Sequence, residues 1–165
     1  MKAISLWQPW ASLVAFGEKK VETRIWKTSY RGPIAIASTK AERPLPGIGM
    51  SRDSKLFQEY FRLASERHGW GARYWPEKDR EGWNACPPDL RRALCGFGAV
   101  LCTAELVAIE ETSAVRDDLD EKERVFGNYE DGRYAWFLEN VKRFDRPIPV
   151  KGNRMLWNFV GEVSA

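Results

Sequence analysis

Residues 17–24 have the sequence Gly17-Glu18-Lys19-Lys20-Val21-Glu22-Thr23-Arg24, and they follow the aromatic run Leu6-Trp7-Gln8-Pro9-Trp10. Proline suits the first turn of a helix, and the apolar spacing of residues 10–14 predicts a short helix that ends at Gly17. Side chains alternate across a strand, so an extended segment directs Glu22 and Arg24 to the same face. Lys19, in the preceding turn, is placed to reach that face. The three groups predict a site for a phosphate or a carbonyl, or an ion pair that ties strand to turn.

Hydrophobic periodicity outside this stretch predicts strands over 2–7, 33–39, 97–109, 134–138, around Phe144 and over 155–159, and a helix over 51–68. Residues 43–50 and 69–89 are predicted as loops, 90–94 as a turn of helix, and 110–124 as an exposed, charged and partly helical segment. Strands of mixed spacing with helices at the connections favour an α+β domain around a small, curved, barrel-like sheet. We expect residues 1–165 to form a single domain.

The charge of the chain is unevenly distributed. Residues 1–44 contain eight Lys or Arg and three acidic residues, and residues 142–165 contain five and two. The middle, 45–141, contains thirteen basic and eighteen acidic residues, and the whole chain has a formal charge of +3. If the two ends meet in the fold, they form a basic face suited to a polyanion. The alternative is chance clustering on a solvated surface.

The cysteines do not form a metal-binding pattern. Cys86, Cys95 and Cys102 lack CxxC spacing and the single His68 is distant from them, so we expect no zinc site and no cofactor. An odd number of cysteines without a signal peptide favours a reducing cytoplasm. Cys102 lies in an apolar run and is predicted to be buried. No segment is long enough to span a membrane.

The order of these motifs resembles the ASCH (activating signal cointegrator homology) domain family. The resemblance rests on the N-terminal motif LWQPWASL at residues 6–13, on Gly17-x-Lys19-x-x-Glu22-x-Arg24 and on Arg31-Gly32. Near the C-terminal end it rests on residues 134–136, on Val150-Lys151-Gly152-Asn153 and on the pair at 156–157. The family implies a fold similar to the PUA domain, a small β-barrel with flanking helices. An insert at about 44–94, rich in helix and loop, carries no motif of the family.

The resemblance implies a cleft beside the barrel in which the motif residues meet and bind RNA or single-stranded DNA. Cations there neutralise phosphates, so affinity falls with salt, and aromatic rings stack bases. Polar side chains such as Gln8 and Asn153 are suited to contacting a base edge. Trp10 and Ser38 also have a purely structural interpretation, in the core and at a strand end. The predicted binding residues are Gln8, Trp10, Lys19, Lys20, Glu22, Arg24, Tyr30, Arg31, Ser38, Lys151, Asn153 and Arg154.

Catalysis is the competing interpretation, because the family that this sequence resembles includes enzymes. One kind hydrolyses N4-acetylcytidine and another cleaves RNA. The first kind uses the motif lysine, a threonine and a distant glutamate. Here the lysine corresponds to Lys19, but Glu22 occupies the place of the threonine. If the protein is a hydrolase, Lys19 and Glu22 are the predicted catalytic residues. A third possibility is an adaptor that binds a protein partner through the insert.

Overall fold

The computed structural model describes residues 1–41, 54–68 and 96–161. All six described strands belong to one mixed sheet with the order β2-β5-β4-β3-β1-β6, which confirms the α+β class. The elements, in chain order, are β1 (Lys2–Leu6), α1 (Trp10–Ala15), β2 (Val21–Arg24), β3 (Gly32–Ser38), α2 (Ser54–Arg67), β4 (Ala99–Glu111), α3 (Thr112–Val115), α4 (Glu121–Val125), β5 (Tyr134–Pro149) and β6 (Trp157–Asn158).

The sheet is strongly curved but open. Strands β1 and β2 are four positions apart in the sheet order, which in a flat sheet is a separation of about 19 Å. Nevertheless Nη2 of Arg24 on β2 donates a hydrogen bond of 3.0 Å to the carbonyl oxygen of Ser5 on β1. The expectation of a closed barrel is wrong in this respect, because a side chain rather than a ladder of backbone hydrogen bonds joins the two strands in the described part of the chain.

Helix α1 packs on one face of the curved sheet. Its apolar side forms the largest core cluster together with inward residues of the strands, which include Ile4, Ile36, Leu106 and Trp136. The other face of β1 and β3 carries alanines that pack against Phe159 near β6. Because side chains alternate along these strands, the larger apolar residues pack in the large core on one face and the alanines pack in the smaller core on the other. Cys102 is fully buried within the large core, as predicted.

Several predicted boundaries need correction. The strands expected at 134–138 and around Phe144 are one strand, β5, because irregular register against β4 lets the ladder continue past Asn140, which has a positive φ of 50°. The strand expected over 155–159 pairs with β1 only through Trp157 and Asn158. The helix expected over 51–68 is α2. The predicted loops at 43–50 and 69–89 and the helical turn at 90–94 lie outside the described residues.

The described ranges contain no helix that is both long and apolar enough to cross a membrane. In the same ranges, His, Cys, Asp and Glu side chains form no group of three or more that is placed to hold a metal ion.

Candidate nucleic-acid interface

Glu22 and Arg24 form an ion pair on one face of β2, as strand alternation predicts. Arg24 Nε lies 3.2 Å from Glu22 Oε1, and the two side chains are 21% and 12% exposed. The N–H at Nε is buried and donates no hydrogen bond, so the contact is electrostatic without hydrogen-bond geometry. Within 1–41, 54–68 and 96–161, Arg24 is the only ion-pair or hydrogen-bond partner of the Glu22 carboxylate. The pair therefore leaves donor and acceptor capacity unused.

Arg24 joins β2, an edge strand, to the part of β1 that lies beyond its pairing with β6. We call this region the seam and define it by the residues in contact there: Ser5, Glu22, Arg24, Gly152 and Trp157. Trp157 Nε1 donates to Ser5 Oγ at 3.2 Å. A Cβ atom built on Gly152 would stand 2.6 Å from the same oxygen, so this backbone passes close to β1. The seam thus joins the N-terminal charged motif to the loop after β5.

Strand polarity explains why Arg24 binds Ser5. The carbonyl of Leu6 accepts a hydrogen bond from Thr39 on the β3 side, at 2.8 Å. Since backbone groups alternate in direction along a strand, the Ser5 carbonyl points to the opposite side, beyond the last β6 pair at Ala3 and Trp157. An unpaired carbonyl at a sheet edge is costly when water is excluded. The Arg24 guanidinium satisfies this carbonyl.

Exposed cations lie on the two loops that adjoin the seam. The loop that continues from Arg24 carries Lys27, over the ring of Tyr134 at 5.3 Å, and Arg31, which donates to two backbone carbonyls of its own loop. The loop that passes Ser5 carries exposed Lys151, Asn153 and Arg154. The two segments are joined at Ser5, which accepts from Arg24 of one and lies against Gly152 of the other.

Lys19 does not join this group. Its side chain is 1% exposed, and its ammonium lies 3.2 Å from Glu123 Oε1 on α4 and also donates to the Val21 carbonyl. Glu123 also accepts backbone hydrogen bonds from Lys20 N at 2.8 Å and Val21 N at 3.1 Å. The prediction that Lys19 reaches the face of Glu22 and Arg24 is wrong, because a buried carboxylate from a distant helix holds its side chain in the interior. Lys20 is exposed.

A buried tyrosine, Tyr129, adjoins the Lys19–Glu123 ion pair. The hydroxyl of Tyr129 donates to the Val21 carbonyl at 3.4 Å. Burial, followed by the negative charges of Glu123 and Glu22, raises the pKa of Tyr129 far above its ordinary value. The tyrosine therefore stays protonated and supplies a neutral hydroxyl beside the Lys19–Glu123 pair.

Glu18, the other acidic residue of the motif, anchors α2. Its buried carboxylate contacts Arg67 and His68, each at 2.7 Å, and Lys122 at 3.1 Å. Burial alone would raise the pKa of Glu18, but hydrogen bonds from His68 and Lys122 and the charges of Lys122 and Arg67 hold it below its ordinary value. This charged cluster joins the end of α1 to α2 and α4.

Three further predicted residues face the interior. Gln8 is buried, donates to the Gly96 carbonyl at 2.9 Å and accepts from Ser12 N. Ser38 is fully buried and exchanges hydrogen bonds of 3.2 Å with Ala99. Trp10 donates to the Phe126 carbonyl at 2.9 Å. Their polar atoms serve the fold, so the structural interpretation of Trp10 and Ser38 holds, and we leave all three out of the interface. Tyr30 is half-buried, and its hydroxyl donates to the Pro33 carbonyl.

Comparison with known proteins shows to which family the chain belongs. The model of the ASCH domain family matches residues 4–148. The chain belongs to the ASCH domain family. It is 25% identical over 160 residues to activating signal cointegrator 1 of Homo sapiens and of Mus musculus, covering 97% of this chain and 22% of each relative. The chain thus spans about a fifth of the length of these relatives. A crystal structure of a mutant of the ZmASCH protein from Zymomonas mobilis matches with a TM-score of 0.47 and 15% identity, covering 96% of this chain and 89% of that one.

Two residues that hold the charged motif of this ASCH domain in place were not identified from the sequence. Ser5 contributes a backbone carbonyl and a small hydroxyl within an apolar strand, and neither gives a sequence signal. Glu123 does have one, because Asp120 caps α4 by accepting from Glu123 N at 2.7 Å. Asp at the N-cap with Glu three positions later is the pattern of a capping box. That pattern marks the helix start, but it gives no indication that Glu123 is buried against Lys19.

Proposed function

We propose that this ASCH domain binds single-stranded nucleic acid, RNA or DNA, along the seam. The observation that carries the proposal is the meeting of Glu22 and Arg24 with Ser5 and the 151–156 loop at one place, between two loops with exposed cations. A backbone of phosphates can follow the cations, while unstacked bases reach the polar and aromatic groups between them. The proposed interface comprises Lys20, Glu22, Arg24, Lys27, Tyr30, Arg31, Lys151, Asn153 and Arg154.

The exposure of the central pair favours a single strand over a duplex. The side chains of Glu22 and Arg24 are mostly covered, so a rigid double helix reaches the loop cations but not the pair. The human and mouse relatives are named as cointegrators of an activating signal, which suits a nucleic-acid or protein partner for this chain as well. A protein partner bound through the 44–94 insert and a cytoplasmic location stay predictions.

Fluorescence anisotropy with labelled single-stranded RNA, single-stranded DNA and duplex DNA tests the proposal across a range of salt concentrations. In Lys151→Ala/Arg154→Ala, two exposed charges are lost, so we expect weaker binding to single strands. The slope of log affinity against log salt should decrease by about 1.4, since each phosphate contact contributes about 0.7 on single strands. The matched control is Arg62→Ala/Arg116→Ala, which removes two surface arginines: Arg62 pairs with Glu66 on α2, and Arg116, just after α3, pairs with Asp131. Equal slopes for both variants would contradict the proposal.

Hydrolysis is the second candidate, and one observation favours it. Lys19 lies 3.2 Å from the distant Glu123, which matches the lysine and distant glutamate of the hydrolysing relatives. The partner of Lys19 is therefore Glu123 rather than Glu22. The place of the threonine nucleophile is taken by Glu22, and Thr23 Oγ1 accepts from Asn128 N at 3.2 Å. Incubation with N4-acetylcytidine and with RNA tests this candidate, since product that disappears in Lys19→Met would establish an enzyme.

A further inference from the structure

The unused hydrogen-bonding groups of the Glu22–Arg24 pair call for an explanation. The Nε–H of Arg24 is buried and donates no hydrogen bond, although a carboxylate oxygen lies 3.2 Å away. Buried donors in folded proteins almost always have a partner, and the explanations for an exception include strain, a catalytic role and a bound water or ion. The Glu22 carboxylate likewise accepts no hydrogen bond from the described residues. A third group that donates to the Glu22 carboxylate and accepts from the partly exposed Arg24 guanidinium would complement both side chains.

The sign of the charges limits what that third group is. A phosphate at the pair would be repelled by Glu22, and a cation would be repelled by Arg24. A neutral, planar group with N–H donors beside an acceptor complements both charges. The two side chains project from the same face of β2 and their charged groups lie side by side, with 3.2 Å between Nε and Oε1, so the donors and acceptors of one nucleobase edge can contact both. Trp26 supplies an apolar wall, because its ring packs edge to face on Trp136, the partner of Glu22 in the ladder, at 4.6 Å.

We propose that the Glu22–Arg24 pair binds the Watson–Crick edge of one unpaired guanine. This inference rests on the proposed function and adds its base preference. The N1–H and the 2-amino group of guanine donate side by side to the Glu22 carboxylate, and O6 accepts from the Arg24 guanidinium. Adenine, cytosine and uracil each present only one donor group on this edge, so they leave one carboxylate oxygen without a partner.

The test uses short oligouridines in which the central base is replaced by G, A or C or left as U. Binding is measured by anisotropy for the wild-type chain, Glu22→Gln and Glu139→Gln. The last variant is a matched control, because Glu139 is exposed on β5. We expect wild type to bind the G oligonucleotide about tenfold more tightly than the others, in the range of a good bidentate contact. Glu22→Gln should reduce this preference to within about twofold, while Glu139→Gln keeps it.

Replacement of the central guanine by inosine gives a second measurement that needs no protein variant. Inosine keeps N1–H and O6 but lacks the 2-amino donor, so its binding to wild type should fall severalfold toward that of the U oligonucleotide. The inference would be overturned by equal affinity for all oligonucleotides, by a guanine preference that persists in Glu22→Gln, or by an inosine oligonucleotide that binds as tightly as the guanine one. Each of these results would leave the proposed function intact. Failure to bind any oligonucleotide would overturn both.

Discussion

Removal of the Glu123 carboxylate is the perturbation whose effect follows most directly from the structure. This buried group accepts from the Lys19 ammonium and from the backbone N–H groups of Lys20 and Val21. In Glu123→Ala, the ammonium loses its counter-charge and both N–H groups lose their acceptor. Breaking a buried ion pair by removing one partner costs about 3–5 kcal/mol, and each orphaned buried N–H costs about 1–3 kcal/mol. Because the three groups share one acceptor, we expect a combined loss of about 4 kcal/mol rather than the sum.

Urea denaturation followed by circular dichroism measures this loss. With a slope of about 2 kcal/mol per molar urea for a domain of this size, the midpoint should fall by about 2 M. That is a large part of the about 5–15 kcal/mol that stabilises an ordinary domain. The control is Glu110→Ala, an exposed residue of β4, which should change the free energy of unfolding by less than about 0.5 kcal/mol.

A double variant separates the ion pair from the backbone contacts. In Lys19→Met/Glu123→Leu, both charges of the buried pair are removed together. This double variant should therefore be more stable than Glu123→Ala by about 1–2 kcal/mol, although it lacks two polar side chains. A midpoint shift below about 0.5 M in Glu123→Ala would refute the reasoning. It would mean that Lys19 reaches solvent and that the N–H groups find other acceptors.

Three further predictions concern single sites. Burial raises the pKa of Cys102 to about 12, so in a Cys86→Ser/Cys95→Ser background its thiol should not react with Ellman's reagent at pH about 8 until the protein is unfolded. The pKa of Glu18 is lowered in the fold, so its contribution to stability is present above the ordinary carboxyl range and is lost as pH falls through the folded pKa. Glu18→Gln should therefore flatten the decline of the urea midpoint below pH about 4. Gly152→Ala places a methyl group against Ser5 Oγ and should destabilise the fold by about 1–2 kcal/mol, which Ser5→Ala should partly restore in the double variant.

Each of these has a result that would count against it. Rapid modification of native Cys102 would show that β4 opens locally. An acid limb that is equally steep in Glu18→Gln and wild type would assign the acid sensitivity to other carboxylates. Additive effects of Gly152→Ala and Ser5→Ala would show that the loop does not press on the Ser5 hydroxyl. Reaction of the native protein with Ellman's reagent provides the first comparison, and urea unfolding of each variant beside wild type provides the other two.

Local patterns in the sequence predicted the elements and one half of the candidate site. Alternation along β2 placed Glu22 and Arg24 on the same face, and the glycine at position 17, with a φ of +74°, ends the turn after α1 as expected. These features depend on neighbours a few residues away. Charge counting gave a basic face only on the condition that the two ends meet, and in the fold the N-terminal strand does lie beside the C-terminal segment, where Lys2 contacts Asn158.

Contacts between distant segments were not predictable in the same way. Lys19 and Glu123 are 104 residues apart, and the surrounding segment, 110–124, is so rich in charge that its composition indicates an exposed surface. Only the packing of α4 on the start of β2 makes Glu123 a buried acceptor. Similarly, no local signal shows that the carbonyl of Ser5 is left unpaired by a short β6, and this unpaired acceptor is what draws Arg24 to the seam.

The order in which the fold is completed follows from which pairs form the sheet. Strands β4 and β5 form a long antiparallel pair separated only by α3 and α4, whereas the Lys2 side chain reaches Asn158 across 156 residues of chain. Closing a longer loop costs more entropy, so contacts of high sequence separation form late. Arg24 meets Ser5 across only 19 residues, but Trp157 reaches Ser5 across 152 residues, so the C-terminal side of the seam depends on such a late contact. A partly folded chain with an intact β4–β5 pair therefore lacks the completed seam, and if the seam binds nucleic acid as proposed, recovery of binding during refolding reports the final step rather than collapse.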